Sequence, residues 1–242
     1  MHFRLVTYNI HKGIGGVDRR YRPLRVVEAL ARCRPDIILL QEVDDGARRS
    51  RGHRQVDLLG DALGLKHRAF QANVKFKRGV YGNAILSRFP LSDVHSLDLT
   101  VPLKKRRRML AARCRLHADD HVHGLQLFNF HLGLASVERV VQLRRFLQSK
   151  LLTRIHHETP IIAAGDFNDV YGNLGRRTLE PAGFRTAAQR TKTFPAILPM
   201  RPLDRVYCRG NVEVVRAYAS RTNVARHASD HLPLVVEMTL SQ

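Results

Sequence analysis

Apolar residues in this chain come in short runs, and the spacing within each run predicts its structure. Phe3–Ile10 is a β-rich run. Pro23 then opens a helical pattern in which Leu24, Val27, Leu30 and Ala31 form an apolar stripe that ends before Pro35. Asp36–Leu40 is too apolar for an exposed strand and suits a sheet covered on both faces. Gln55–Leu63 predicts a second short helix. Asn83–Ser87, Val94–Leu97, Met109–Leu116 and Leu125–Phe130 predict strands with turn signals between them. Ser136 is a good N-cap, and Glu138 in the first turn suits the helix dipole. Val137, Val140, Val141, Arg144, Leu147 and Leu151 then predict one long helix with a mostly apolar face. Ile161–Ala164, Arg205–Tyr207, Val212–Tyr218 and Leu234–Met238 complete the strands. Strand pairs interspersed with a few helices predict an α/β protein of two packed sheets flanked by helices.

The residues at which the runs stop are of few kinds. Asn9 follows the first strand and Glu42 the second. Gly165-Asp166-Phe167-Asn168-Asp169 closes Pro160–Ala164, and Ser229-Asp230-His231 precedes the last strand. Acids, amides and an imidazole at strand ends suit chemistry with a hard metal ion, an activated water and a cation beside a phosphoryl oxygen. Each also has a plain reading: Glu42 as a solvated strand-end charge, Asn9 as a turn amide, Asp169 as an Asx-turn. Because these residues run from position 9 to position 231, splitting the chain would split the site, so residues 1–242 are expected to form a single domain.

Composition narrows the class. No stretch approaches the eighteen or so apolar residues of a membrane span. The amino terminus has no signal-peptide pattern, so a cytoplasmic protein is expected. Cys33, Cys114 and Cys208 are scattered without metal spacing and are expected as small buried hydrophobes. The net charge of +20, from 41 Lys+Arg against 21 Asp+Glu, implies an anionic partner: nucleic acid first, an anionic membrane surface second. A genome rich in arginine codons is the rival explanation of that charge. Nothing in the sequence points to an obligate protein partner.

Seven strings in order sharpen this reading. TYNIH (7–11), QEV (41–43), YGNAILSR (81–88), FHL (130–132), GDFND (165–169), LDRVY (203–207) and SDHLPL (229–234) resemble the endonuclease/exonuclease/phosphatase family over nearly the full chain. The resemblance implies a deoxyribonuclease-like, four-layer α/β/β/α sandwich with its site at one edge of the two sheets. It implies Mg²⁺, with Mn²⁺ as the alternative, held by Glu42 and Asn9 and supported by Asp230. It makes Asp166 the group that deprotonates water, with Asn168 steadying the water and a phosphoryl oxygen. His231 then stabilises the phosphorane, oriented by Asp204, and His131 contacts the scissile phosphate. His11 stands where some members carry an aspartate. An imidazole suits Mg²⁺ poorly, so His11 is expected to meet substrate phosphate or solvent. Asn83 is a candidate substrate-side amide or a strand-stabilising one.

Two basic runs remain. Arg48, Arg49 and Arg51 follow the Glu42 strand and are expected at the mouth of the site, binding substrate. Lys104–Arg108 is expected in a hairpin turn, with less claim on the site. The expected activity is metal-dependent hydrolysis of phosphodiester bonds in DNA or RNA by in-line attack of water. Hydrolysis of a phospholipid or phosphoinositide headgroup is the alternative. An inactive nucleic-acid-binding module is a third reading, disfavoured because no member of the acid, amide and imidazole set is missing.

Overall fold

The structure is a computed structural model that describes residues 1–118, 121–189 and 191–240. In chain order the strands are β1 (His2–Asn9), β2 (Ile37–Asp45), β3 (His67–Lys75), β4 (Val80–Ser87), β5 (Leu91–Asp98) and β6 (Arg108–Ala118). They continue with β7 (His121–His131), β8 (Ile161–Asp166), β9 (Arg185–Thr186), β10 (Asp204–Arg209), β11 (Val212–Ala219) and β12 (Leu234–Leu240). The α-helices are α1 (Pro23–Cys33), α2 (Gln55–Leu63), α3 (Ser136–Leu147), α4 (Lys150–Thr153), α5 (Leu174–Thr178) and α6 (Asn223–Ala228).

One sheet has the order β11-β12-β1-β2-β4-β3, the other β5-β6-β7-β8-β10-β9. Each contains one parallel pair, β1–β2 and β7–β8, and its other ladders are antiparallel. A parallel pair needs a crossover, and α1 supplies it for β1–β2 while α3 and α4 supply it for β7–β8. Three apolar layers result. Phe3, Leu5, Ile37 and Ile85 of one sheet meet Leu110, Leu127, Ile162 and Val206 of the other. Val26, Leu30 and Leu59 pack on Val6, Ile38 and Leu86 outside the first sheet. Leu143 and Phe146 pack on Phe128, Phe130 and Ala163 outside the second. The expected α/β/β/α sandwich is therefore the observed fold. Cys33, Cys114 and Cys208 are all buried and unpaired. Among the described residues, no helix is long and apolar enough to cross a membrane.

Two helices turn differently from their expected faces. In α1 the buried row is Val26, Ala29, Leu30 and Cys33, while Leu24 lies 72% exposed. In α3, Val137 is exposed and Glu138, Arg139 and Gln142 are buried. These polar side chains hold the turn after His131. Gln142 Oε1 accepts from Gly133 N at 2.8 Å, and Arg139 Nη1 donates to Leu134 O at 2.5 Å. The helix also stops at Leu147, where Ser149 Oγ donates to Phe146 O at 2.7 Å, so Leu151 belongs to α4.

Beneath the site a polar lock joins the sheets. Gln41 Nε2 donates to Asn129 Oδ1 at 2.8 Å, and Asn129 Nδ2 donates to Leu40 O and Ala84 O at 2.9 Å each. Both amides are fully buried. Asn129→Ala strands these partners in the interior and is expected to lower the unfolding free energy by about 2–4 kcal/mol, read from urea denaturation.

Candidate active site

The parallel pairs β1–β2 and β7–β8, one in each sheet, send the carboxyl ends of all four strands to one edge of the sandwich, where residues from each line a single cavity. Asn9, Glu42, His131 and Asp166 lie at or near those four ends. Asp204 opens β10 directly opposite Asp166 in the β8–β10 ladder, and Asp230-His231 precedes β12, the other neighbour of β1. A cavity of about 840 Å³ receives Asn9, Glu42, His131, Asp166, Asn168, Asp230 and His231.

The backbone aims several of these side chains. The β2–β4 register breaks between Leu40 and Val43, and Glu42 in that bulge has φ 57°. Asn168 (φ 49°), His11 (φ 45°) and Lys12 (φ 61°) adopt the same left-handed region. Such conformations are costly outside glycine, and three of these four residues, Glu42, Asn168 and Lys12, line the cavity.

Asp166 is the hub. It accepts from Asn9 Nδ2 at 3.0 Å and from Asn168 N at 2.9 Å. Its Oδ2 lies 3.6 Å from His131 Nε2 and 3.8 Å from His231 Nε2. Those gaps are too long for direct hydrogen bonds and suit bridging by an oxygen atom. On its far side His231 Nδ1 is 2.8 Å from Asp204 Oδ2, which also accepts from Thr193 Oγ1 at 2.5 Å. The Phe194 ring packs against the imidazole at 5.0 Å between centroids. Ser229 Oγ donates to Asn9 O at 2.7 Å and accepts from His231 N at 3.2 Å, tying the two loops together.

Burial and neighbours split the protonation states. Burial pushes the Asp166 carboxyl above its ordinary range, although the His231 cation draws it back. Burial opposes charge on His231, but Asp204 and Asp166 outweigh it and raise the imidazole well above its usual value. His131 moves the other way: burial, then Arg107, push it well below the ordinary imidazole value, so it is neutral at pH 7. Burial opposes charge on Glu42, and the neighbouring cations still hold it below the ordinary carboxylate range. With His131 neutral, its working counter-charge is Lys12, whose ammonium contacts Glu42 Oε2 directly. The cavity thus joins a proton acceptor, an imidazolium and an ionised carboxylate, the complement needed to attack a phosphoryl centre with water.

A model of the Endonuclease/Exonuclease/phosphatase family matches residues 6–231. The chain belongs to that family. Among its relatives, the uncharacterised protein YbhP of Escherichia coli strain K12 is 28% identical over 250 residues, covering 98% of this chain and 96% of YbhP. Its fold is similar to that of the endonuclease/exonuclease/phosphatase from Bacteroides vulgatus, with TM-score 0.79, 18% identity and full coverage of both chains. It is also similar to mannosyl-6-phosphatase Bt3783 of Bacteroides thetaiotaomicron VPI-5482, with TM-score 0.73, 16% identity and coverage of 98% and 100%. Members of the endonuclease/exonuclease/phosphatase family hydrolyse phosphoester bonds, typically with divalent metals, and the chain is a phosphoester hydrolase in that sense.

Glu42, Asp230 and the Asn9 carbonyl offer oxygen alone, which suits a hard divalent cation, and Glu42 is ionised with the Lys12 ammonium against it. These ligand atoms are not drawn into one tight cluster. Among the described residues, only His156, His157 and Glu158 bring three His, Cys, Asp or Glu ligand atoms within 4.8 Å of one another, and that triplet is exposed and outside the cavity. The donors fit a hard cation by their chemistry.

Several expected substrate contacts lie elsewhere. Asn83 is fully buried and donates to Arg108 O at 3.0 Å, so it ties strands together outside the cavity lining. His11 Nδ1 is 2.9 Å from Ile14 O and 3.9 Å from Asp230 Oδ1, also off the lining. Arg48 and Arg51 turn to separate surface hollows because Gly46–Gly52 coils away from the mouth. Only Arg49 of that run lines the cavity, gripped by Asp44. The second run reverses its expectation: Lys105, Arg106 and Arg107 all line the cavity. Sequence reasoning also missed Thr193 and Ser229, whose hydroxyls set Asp204 and the Asn9 loop. No local pattern marks Thr193, and Ser229 stands in the SDHLPL string without a role of its own there.

Proposed function

We propose that the protein hydrolyses phosphodiester bonds by in-line attack of water, with a nucleic acid strand as substrate. The observation behind this reading is the pairing of a buried Asp166, its pKa raised, with the His231 imidazolium in one cavity whose walls carry several cations. Glu42, Asn9 and Asp230 would hold Mg²⁺ or Mn²⁺, which when bound neutralises the phosphate and stabilises the leaving oxygen. Asp166 orients water and takes its proton, its geometry fixed by Asn9 and Asn168. His231, aligned by Asp204, faces the charge that develops on phosphorus. Neutral His131 donates a hydrogen bond to a phosphoryl oxygen. Asn168, its amide tied to Leu132 O at 2.9 Å, lines the wall beside the water.

A polynucleotide held by the cationic walls should bind with steep salt dependence, its log–log slope about −0.7 to −0.9 per phosphate contacted. Binding assays with single- and double-stranded DNA and RNA across salt concentrations test this, and a flat slope would remove nucleic acid.

A second reading has its own observation. Leu103, Leu134, Tyr171, Ile197, Leu198 and Met200 are exposed, and each lines the cavity or lies within four residues in sequence of one that does. Apolar side chains interleaved with Lys104, Lys105, Arg106 and Arg201 suit an anionic lipid surface. If lipid is the substrate, Leu103→Ser with Leu198→Ser releases the protein from phosphatidylglycerol vesicles in sedimentation. Equal recovery of the double variant and wild type with those vesicles would discard that reading.

A further inference from the structure

The cations of the cavity are not equivalent. Lys12 contacts Glu42, and Asp44 grips Arg49 through two hydrogen bonds of 2.8 and 2.7 Å. Arg107 has no such partner. It is only 7% exposed, forms no ion pair among the described residues, and its Nε has no hydrogen-bond acceptor. A buried guanidinium without a counter-charge is costly, and the fold nevertheless fixes one here. Arg107 N donates to Thr100 Oγ1 at 3.2 Å, and Arg107 O accepts from Leu99 N at 2.9 Å. Leu99 is fully buried, and Arg145 of α3 donates to Thr100 O at 2.5 Å. The base of the β5–β6 loop is therefore anchored in the core and to a helix, and it presents an uncompensated cation to the cavity.

The topology places that cation beside the reacting atoms. Arg107 directly precedes β6, which pairs with β7, which pairs with β8 through His131 and Asp166. Two strand spacings separate its backbone from Asp166, on the order of 10 Å. On the facing sheet, Arg49 lies over the rings of Phe76 and Tyr81 at 4.9 and 5.3 Å, giving this wing an aromatic floor. Exposed Lys105 and Arg106 continue its cationic wall. A cationic wall beside a phosphodiester centre suits the backbone of a single strand.

We infer that Arg107 anchors a second anion subsite, which takes the phosphate next to the scissile one in a nucleic acid strand. This rests on the phosphodiesterase reading above and adds a requirement to it: a diester flanked by a further phosphate is preferred over an isolated one.

The test compares thymidylyl-thymidine without a terminal phosphate, with a 5′-phosphate and with a 3′-phosphate, in the presence of Mg²⁺. For wild type, one phosphorylated form should have a kcat/KM at least about tenfold higher, chiefly through KM. Arg107→Gln should bring that ratio close to one, and Arg107→Lys should keep part of it. A second readout needs neither metal nor turnover. Inorganic pyrophosphate should raise the Tm of metal-free wild type and leave that of Arg107→Met unmoved. Without ligand, Arg107→Met should melt no lower than wild type, because an unpaired buried charge has gone.

A wild-type ratio near one, or a ratio that survives Arg107→Gln, overturns the subsite. So does a lower Tm for Arg107→Met together with an unchanged pyrophosphate shift, since that marks a structural arginine. A phosphate preference confined to glycerophosphoinositol 4-phosphate over glycerophosphoinositol overturns the assignment to nucleic acid. If no diester is hydrolysed, including bis(p-nitrophenyl) phosphate, the phosphodiesterase reading fails, and the melting arm still decides whether Arg107 binds phosphate.

Discussion

Asp166→Asn is expected to lower kcat for bis(p-nitrophenyl) phosphate by about 10²- to 10⁴-fold, the range lost with a general base, while KM changes little. Asparagine keeps the shape and can still accept from Asn168 N, so the backbone after β8 should hold. It cannot take a proton from water. It also gives up the oxygen that accepts from Asn9 and the charge that faces His231, so the unfolding midpoint should fall, and circular dichroism checks that the variant is folded before kcat is compared. A variant that keeps more than about a tenth of wild-type kcat would show that Asp166 is not the base.

The second large effect belongs to His231. His231→Ala should lower kcat and kcat/KM together by about 10²- to 10³-fold, the signature of a contact made in the transition state. Asp204→Asn should cost less and should also reshape the pH profile. In wild type, kcat/KM should rise as Asp166 loses its proton above the ordinary carboxylate range. It should fall again as His231 loses its proton above the ordinary imidazole range. Burial works against the His231 charge, and Asp204 leads the groups that uphold it. Removing that carboxylate lets the imidazole deprotonate earlier, so the alkaline limb should move to lower pH. An unmoved limb in Asp204→Asn would separate the two residues functionally, despite their 2.8 Å contact.

Much of this site can be read in the sequence because its parts stand at strand ends, where a long apolar run meets a residue with no packing reason to be there. Asp166 after Ile161–Gly165 and Glu42 after Ile37–Gln41 are of this kind. The layers can be read for the same reason, since runs such as Ile37–Leu40 need cover on both faces. What stays hidden depends on three dimensions. His67–Lys75 forms an edge strand from a mixed run with few β-branched residues, and its pairing with β4 exists only in the sheet. The turned faces of α1 and α3 follow from packing, and α3 buries Glu138 and Gln142 because the turn after His131 needs partners. The two basic runs look alike as strings. Arg48 and Arg51 leave the mouth while Arg107 enters it, because one loop coils outward and the other is pinned at Leu99 and Thr100.

The most direct measurement strips the protein of metal, supplies bis(p-nitrophenyl) phosphate and titrates Mg²⁺ or Mn²⁺ into wild type and Glu42→Gln side by side. In excess EDTA, wild type should show no turnover, and added cation should restore it along a saturating curve. Glu42→Gln should remain folded by circular dichroism, yet stay inactive or require far more metal. Undiminished wild-type hydrolysis in EDTA, or a Glu42→Gln curve that overlays wild type, would contradict metal-dependent phosphodiester hydrolysis at this cavity.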